Sequence, residues 1–160
     1  MRKPKVYLDT SVVSHLEAIE TPDKMRDTHL FWEELKANKY QAVISNITIA
    51  EITKCSEPKR TMMFRKLDEI DYMVLEENEE TLLLADNYLS HGVLRSKSMD
   101  DLRHISVASA TDCKYIASWN FKHFVNVKTI EKVQSANKLY GYHDIIIVPP
   151  SMLIGGNEDE

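Results

Sequence analysis

Short apolar runs alternate along the chain with longer segments whose apolar residues recur at helical spacing. The short runs are rich in β-branched and aromatic side chains, which is typical of buried strands. They cover residues 6–8, 40–44, 72–75, 114–119 and 144–148. Helices are predicted to begin near residues 22, 47, 58, 78, 98 and 129, and a short helix or turn is predicted over 11–17. The pattern therefore indicates strands connected by helices.

Strands that are joined by helical crossovers pair in parallel and are covered on both faces. The pattern thus predicts an α/β protein, a three-layer α/β/α sandwich with a parallel five-stranded sheet. In such sheets the ligand site lies outside the carboxyl ends of the strands. Asp9, Thr10 and Ser11 end the first apolar run, Glu51 lies in the helix after the second, and Asn120 follows the fourth. We expect these side chains to share one edge of the sheet.

Local signals also predict where two helices begin and which face one of them buries. Ser45 or Asn46 is expected to cap the helix that carries Glu51, and Asn78 is expected to cap the helix after the third strand. On the latter helix Leu82, Ala85 and Leu89 are predicted to face the core.

Length and composition indicate one domain with its own core, since 43% of the 160 residues are hydrophobic. We expect this domain to span residues 1–154 and an acidic, mobile tail to span 155–160. Cys55 and Cys113 lie far apart and outside any CxxC pattern, so free thiols are expected rather than a disulfide or a zinc site. No apolar run has the length of a membrane span or a signal-peptide core, which favours a soluble cytoplasmic protein without membrane contact.

A formal net charge of −5 argues against a protein that coats nucleic acid through its overall field, although it does not exclude local phosphate binding. Basic residues nevertheless cluster in three segments, and most are expected to lie on solvated helix faces. These residues are Lys54, Lys59, Arg60, Arg65 and Lys66, then Arg95, Lys97 and Arg103, and finally Lys122, Lys128 and Lys132.

Each candidate polar residue also has an ordinary structural explanation. Asp9 could cap the helix that follows it, and Glu51 could be a solvated helix acid. Asp101 could be the far partner of a capping box that begins at Ser98, and Asn120 could cap the turn that follows it. Their joint placement at one edge of the sheet is harder to explain in this way.

Carboxylates that are brought close together in a partly desolvated cleft repel one another, and this repulsion is relieved by protonation or by a bound cation. Oxygen ligands without a nearby set of His or Cys residues favour Mg²⁺ or Mn²⁺ over Zn²⁺. Such ions activate water and stabilise the charge on phosphate oxygens. The acidic cluster therefore suits phosphodiester hydrolysis.

Four strings of residues resemble those of the PIN-domain ribonucleases, in particular the VapC-type toxins of toxin-antitoxin pairs, and together they span nearly the whole chain. The strings are Leu8-Asp9-Thr10-Ser11, Ala50-Glu51-Ile52, Asp101-Leu102-Arg103-His104-Ile105 and Ser118-Trp119-Asn120-Phe121-Lys122-His123-Phe124. The resemblance implies a sheet ordered 3-2-1-4-5 and a divalent-metal-dependent endoribonuclease that cleaves RNA. It also implies a homodimer and a small antitoxin protein as partner.

The resemblance assigns the catalytic and metal-binding positions residue by residue. Asp9 matches the first acid of the family, Glu51 the second and Asp101 the third. Asn120 matches a fourth position that is aspartate in many members, and an amide there coordinates through oxygen but brings no charge. The hydroxyl positions beside the first acid, expected to hold metal-bound water or to contact substrate, are Thr10 and Ser11.

Neighbouring residues offer alternatives to these assignments. Asp100 is the second choice for the third acid, and Asp101 is preferred because the family places this acid three residues before the histidine, here His104. His104 itself is expected to be a satisfied core histidine. Lys122 and His123 lie just past the predicted edge and could contact RNA phosphate, and Lys122 is kept as a candidate substrate contact.

Other functional classes also place an aspartate at the end of a first strand. Haloacid-dehalogenase-type phosphatases need a second acid two residues later, where this chain has Ser11, and receiver domains need paired acids that are missing here. The remaining alternative is a catalytically weak or silent PIN-fold module that binds RNA or a protein partner. Asn120 favours this alternative because it stands at a position that is aspartate in many members of the family.

Overall fold

A five-stranded parallel sheet lies at the centre of the computed structural model, which describes residues 2–155. The strands are β1 (Lys5–Leu8), β2 (Gln41–Ser45), β3 (Tyr72–Leu75), β4 (Tyr115–Ala117) and β5 (Ile146–Val148). Their order is β3-β2-β1-β4-β5, and every neighbouring pair is parallel. Both the predicted fold class and the strand order implied by the resemblance are confirmed.

Helices cover both faces of this sheet. They are α1 (Thr10–Ser14), α2 (Pro22–Lys36), α3 (Asn46–Thr53), α4 (Lys59–Leu67), α5 (Glu79–Ser90), α6 (Met99–Ala110) and α7 (Val127–Tyr140). Shorter 3₁₀ turns span His15–Glu17, Ser96–Ser98 and Pro150–Leu153. Within residues 2–155 no helix combines the length and the apolar character that crossing a bilayer requires.

Three sequence predictions need correction or qualification. The fourth strand ends at Ala117 rather than at Trp119, because the Trp119 N–H donates to the Ser11 hydroxyl instead of continuing the ladder. Leu82 is 44% exposed, whereas α5 buries Leu84 and Ala85, so the predicted buried face was misplaced at that position. Residues 156–160, which hold most of the predicted acidic tail, lie outside the described residues.

Side chains of β1 alternate between two cores, as the pleat of a strand requires. Val6 and Leu8 pack on the face that α1, α2 and α4 cover. Tyr7 points to the opposite face, where it packs with residues of α5, α6 and α7. The same alternation places the Tyr7 hydroxyl beside α6, close to the edge where Asp9 ends the strand.

Capping boxes fix the starts of α3 and α5. The side chains of Ser45 and Asn78 accept hydrogen bonds from backbone N–H groups of their helices. In return, the side chains of Thr48 and Thr81 accept hydrogen bonds from the backbone N–H groups of Ser45 and Asn78. Both caps were predicted from the sequence, Ser45 as one of two candidates. The two free thiols that the sequence predicts are also present, at positions 55 and 113.

We expect the two caps to differ in their energetic cost. Asn78→Ala should lower the free energy of unfolding by about 1 kcal/mol, the usual cost of losing a cap. Ser45→Ala should cost more, because the Ser45 hydroxyl also contacts the Tyr7 hydroxyl at 2.7 Å inside the core. Urea unfolding of both variants measures the difference, and an equal loss in both would assign the whole effect to capping.

Candidate metal centre

Asp9 is held at the carboxyl end of β1 by its backbone and by one side-chain oxygen. Its N–H donates to the Ala117 carbonyl of β4 at 3.0 Å. Its Oδ2 accepts hydrogen bonds from the Ser11 hydroxyl at 2.7 Å and from the Ser118 hydroxyl at 2.9 Å. Asp9 occupies the N-cap position of α1, but its side chain makes no capping bond. The explanation of Asp9 as a helix cap is therefore wrong.

Glu51 reaches the same edge from α3, which begins directly after β2. Its Oε1 accepts a hydrogen bond from the Thr10 hydroxyl at 2.5 Å and lies 3.0 Å from His104 Nε2. His104 is fully buried, and its Nδ1 contacts the Tyr7 hydroxyl at 2.5 Å. Glu51 is thus not a solvated helix acid, because neighbours from two other elements fix it.

Electrostatics favour the charged forms of this buried pair. Burial alone would raise the pKa of Glu51, but the hydrogen bond and charge of His104 and the Thr10 hydroxyl outweigh it and lower the pKa. Burial alone would lower the pKa of His104, but the Tyr7 hydroxyl and the Glu51 carboxylate raise it well above its ordinary value. The two shifts agree, so His104 and Glu51 stabilise each other as an ion pair.

Asp101 lies in the first turn of α6, and His123 fixes its position. The distance between Asp101 Oδ2 and His123 Nδ1 is 2.7 Å. Ser98 makes no side-chain capping bond, so the capping-box explanation of Asp101 is wrong. Burial raises the pKa of Asp101, the hydrogen bond from His123 opposes this, and the negative charge of Asp9 raises it further. The negative charges of Asp9 and Asp101 therefore repel each other.

The structure distinguishes Asp101 from its neighbour Asp100. The Asp100 side chain is 65% exposed and pairs with Arg103 at 3.0 Å, whereas the Asp101 side chain is 21% exposed. Asp100 is thus an exposed acid that pairs with Arg103, which favours Asp101 as the third acid.

Asn120 follows β4, and its side chain caps the next turn. Its Oδ1 accepts a hydrogen bond from the His123 N–H at 2.9 Å, and its own N–H donates to the Ser118 hydroxyl at 2.9 Å. The ordinary capping role considered for Asn120 is therefore confirmed. A role for Asn120 as a metal ligand stays a prediction.

The three acids share one feature that suits a cation. Each uses one carboxylate oxygen for the hydrogen bonds described above. The other oxygens, Asp9 Oδ1, Glu51 Oε2 and Asp101 Oδ1, accept no hydrogen bond from residues 2–155. Because the acids are only partly exposed, such oxygens are suitable ligands for a hard divalent ion.

Distances between potential ligand atoms among the described residues define one group, which includes His104 and does not include Asp101. Asp9, Glu51 and His104 each offer one potential ligand atom, and these atoms lie within 4.8 Å of one another. However, both ring nitrogens of His104 already have hydrogen-bond partners in the core. We therefore regard His104 as the residue that holds Glu51 in place, and the carboxylate oxygens as the donor set.

An ionic brace connects the elements that carry these acids. Arg103 of α6 binds Glu77 through two hydrogen bonds, from Nε at 2.7 Å and from Nη2 at 2.5 Å. The Asn46 side chain, at the start of α3, donates to the same carboxylate at 2.9 Å. The brace thus ties the helix of Glu51 to the helix of Asp101.

Sequence reasoning missed several supporting residues. From the sequence, Tyr7 is only part of an apolar strand, Ser118 is only part of a motif, and Glu77 carries no signal. The predicted satisfied core histidine is confirmed, because His104 is fully buried and both of its ring nitrogens have partners, but its contact with Glu51 is not predicted from the sequence. The partners of the others lie far away in sequence and were not predictable from local spacing.

Comparisons with known proteins agree with this architecture. Neither a protein-family model nor a curated protein matches the sequence. Among solved structures, the chain is similar to a chain in the crystal structure of VapBC2 from Rickettsia felis, which is bound to a DNA fragment from the VapBC2 promoter. The TM-score is 0.55 and the identity is 18%, over 89% of this chain and 96% of that chain. The likeness at this identity shows the shared fold.

We expect Glu77→Gln to weaken the brace in a pH-dependent way. The hydrogen bonds from Arg103 hold the pKa of Glu77 below its usual value of 4.5. A lowered pKa stabilises the fold above the usual value, and this stability is lost as the pH falls through the lowered value. At pH 7 the substitution should cost about 1.5–3 kcal/mol, as for hydrogen bonds to charged groups. Urea unfolding between pH 7 and pH 3 should show the difference from the wild type shrinking below pH 4.5, and a constant difference would contradict it.

Proposed function

We propose that this protein is a divalent-metal-dependent endoribonuclease that hydrolyses RNA phosphodiesters. The observation that carries the proposal is the arrangement of Asp9, Glu51 and Asp101. They come from three different elements, each is fixed through one oxygen, and each keeps a second oxygen without a partner among the described residues. We assign these three acids as metal ligands and as catalytic residues.

The donor set favours Mg²⁺ or Mn²⁺, because it consists of carboxylate oxygens. When bound, such an ion would lower the pKa of a water molecule and stabilise negative charge on the phosphate oxygens. The protein residues keep the donors in position: Ser11 and Ser118 orient Asp9, Thr10 and His104 orient Glu51. His123 does the same for Asp101.

Four further residues complete the proposed site. The hydroxyls of Thr10 and Ser11 donate to Glu51 and Asp9, so we assign them first to orienting the acids, and substrate contact stays a prediction. Asn120 lies at the same edge and is proposed as an auxiliary ligand that positions a second ion or a water. Lys122 is exposed beside it and is proposed to contact RNA phosphate.

We further propose that the protein is the toxin of a toxin-antitoxin pair, with a small antitoxin as partner and a homodimer as its assembly. The likeness to VapBC2 and the resemblance of the sequence to VapC-type toxins support this assignment. The alternative, a silent module that binds RNA or protein, is favoured by one observation: Asn120 replaces an acid and uses its Oδ1 as a cap.

Metal binding should stabilise the fold by relieving the repulsion between carboxylates. At 100 times the dissociation constant, Mn²⁺ should add about 2.7 kcal/mol of stability. For a chain of this length that corresponds to a rise in Tm of roughly 5–10 °C. Asp9→Asn preserves the acceptor for Ser11 and Ser118 but removes the charge, so it should abolish most of the shift. Thermal unfolding with and without Mn²⁺ measures both effects.

Two matched variants sharpen this experiment. Asp100→Asn removes a neighbouring charge that is 65% exposed and should leave the Mn²⁺ shift unchanged. Asn120→Asp should enlarge the shift if Asn120 belongs to the ligand set, and should leave it unchanged if Asn120 only caps the turn. A wild-type Tm that millimolar Mg²⁺ and Mn²⁺ do not move would contradict the carboxylate centre.

Purified protein should cleave single-stranded or structured RNA in Mn²⁺ or Mg²⁺. Asp9→Asn and Asp101→Asn should each slow cleavage by at least about 100-fold, because a Lewis-acid ion contributes several kcal/mol to the transition state. Asp100→Asn should remain within about twofold of the wild type, since solvent-exposed charges contribute little. Gel-resolved cleavage of labelled RNA provides the rates.

The outcomes separate the two candidate functions. Cleavage that survives both Asp9→Asn and Asp101→Asn would overturn the nuclease proposal. A Tm shift with Mn²⁺, combined with no cleavage of any RNA tested, would instead support the silent binding module.

A further inference from the structure

A basic pocket adjoins the carboxylates. This cavity of about 410 Å³ is lined by the segment that leads into α6 and by the segment around the start of α7. Its lining includes five cationic side chains and no acidic one: Arg95, Lys97, Lys122, Lys128 and Lys132. We call it the basic pocket. It concentrates positive charge in a protein whose net charge is −5.

The cations of the basic pocket are not neutralised by neighbouring acids. Elsewhere in the described chain Arg26, Lys36, Arg60 and Arg103 form ion pairs with Asp or Glu. Within residues 2–155 no such pair involves any of the five pocket cations, and the one polar contact is from Lys132 Nζ to the Gly92 carbonyl at 3.1 Å. A set of unpaired cations around one cavity attracts an anion.

A hydroxyl that reaches the cavity adds a further polar group. Ser98 lines the pocket and is only 5% exposed as a residue, and its hydroxyl, which is accessible from the pocket, has no hydrogen-bond partner among residues 2–155. It lies at the N-cap of α6, and α7 also begins at the pocket, after Asn126. The first turn of α6 already contains Asp100 and Asp101, whereas the first turn of α7 contains no acid, so the N–H groups and dipole of α7 favour an added negative charge. A phosphate group would combine these donors with the lysine charges.

The position of the pocket favours a nucleic-acid strand over an acidic protein segment. His123 lines the pocket and also contacts Asp101 at 2.7 Å, so one side chain separates the pocket from the carboxylates. A strand whose scissile phosphate lies at Asp101 carries a further phosphate at every nucleotide. The next phosphates along that strand can therefore reach the cations beyond His123.

We propose that the basic pocket binds backbone phosphates of the RNA that flank the cleaved one, an inference that rests on the proposed nuclease function. It assigns Arg95, Lys97, Lys128 and Lys132 to substrate binding, in addition to Lys122. Phosphate contacts of this kind fix the register of the strand and carry no base specificity.

Binding of RNA to a charge-reduced pocket tests the inference. Arg95→Gln/Lys128→Gln removes one arginine and one lysine from the pocket. The matched control, Lys59→Gln/Arg65→Gln, removes the same pair from α4, which packs on the opposite face of the sheet. Both doubles are made in the Asp9→Asn background to prevent cleavage. The probe is a fluorescein-labelled, mixed-sequence RNA of about 16 nucleotides, followed by fluorescence anisotropy at several salt concentrations.

The pocket double should weaken RNA binding about tenfold near 0.1 M salt and reduce the slope of log K against log salt by about 1.4, or 0.7 for each lost phosphate contact. The control double should stay within about twofold and keep the slope, because it removes equal charge elsewhere. Circular dichroism of both doubles verifies that they are folded.

Three results would overturn the inference, and they separate it from the proposed function. If the pocket double and the control bind alike while the wild type cleaves RNA, the pocket is not used and the nuclease stands. If the wild type neither binds nor cleaves RNA, the nuclease proposal fails together with the pocket. If the pocket double keeps its RNA affinity but loses binding to a polyglutamate peptide, the pocket is a site for an acidic protein segment.

Discussion

Repulsion between carboxylates at one edge of the sheet is the constraint around which this site is arranged. Asp9 and Asp101 raise each other's energy, as the influence of the Asp9 charge on the pKa of Asp101 shows. Burial strengthens that repulsion because water no longer screens it. Within residues 2–155 no Lys or Arg forms an ion pair with Asp9, Glu51 or Asp101. The chain supplies hydroxyl and imidazole donors to one oxygen of each acid, so each acid keeps a second oxygen without a partner among residues 2–155.

The donors that hold the acids are themselves held by the fold. His104 contacts Glu51 through Nε2 and the Tyr7 hydroxyl through Nδ1, so Tyr7 helps to fix the orientation of the ring. Tyr7 lies on this side of the sheet because β1 alternates its side chains between the two cores. The partly buried brace between Glu77 and Arg103 connects the helices that carry Glu51 and Asp101. Core packing and this ion pair therefore both support the same geometry, which is what a preorganised site requires.

The distribution of charge is more informative than its sum. A net charge of −5 argues against general nucleic-acid binding, yet the basic pocket concentrates unpaired cations directly beside the acids. Such an arrangement allows the basic pocket to attract an anionic strand while the neighbouring acids attract a cation. In the proposed function, RNA binding would therefore depend on this local arrangement of the two signs and little on the overall field of the protein.

Local periodicity determined the elements of this protein, because strands and helices depend on neighbours two to four residues apart. It predicted the parallel sheet and the edge shared by Asp9 and Glu51. The capping residue types predicted Asn78 and, as one of two candidates, Ser45, while the strand order came from the resemblance. Tertiary structure alone decided the partners of the acids. The contacts from Ser118 to Asp9 and from His104 to Glu51 span 109 and 53 positions. No local pattern encodes such pairs, since they arise only when distant elements pack against the sheet.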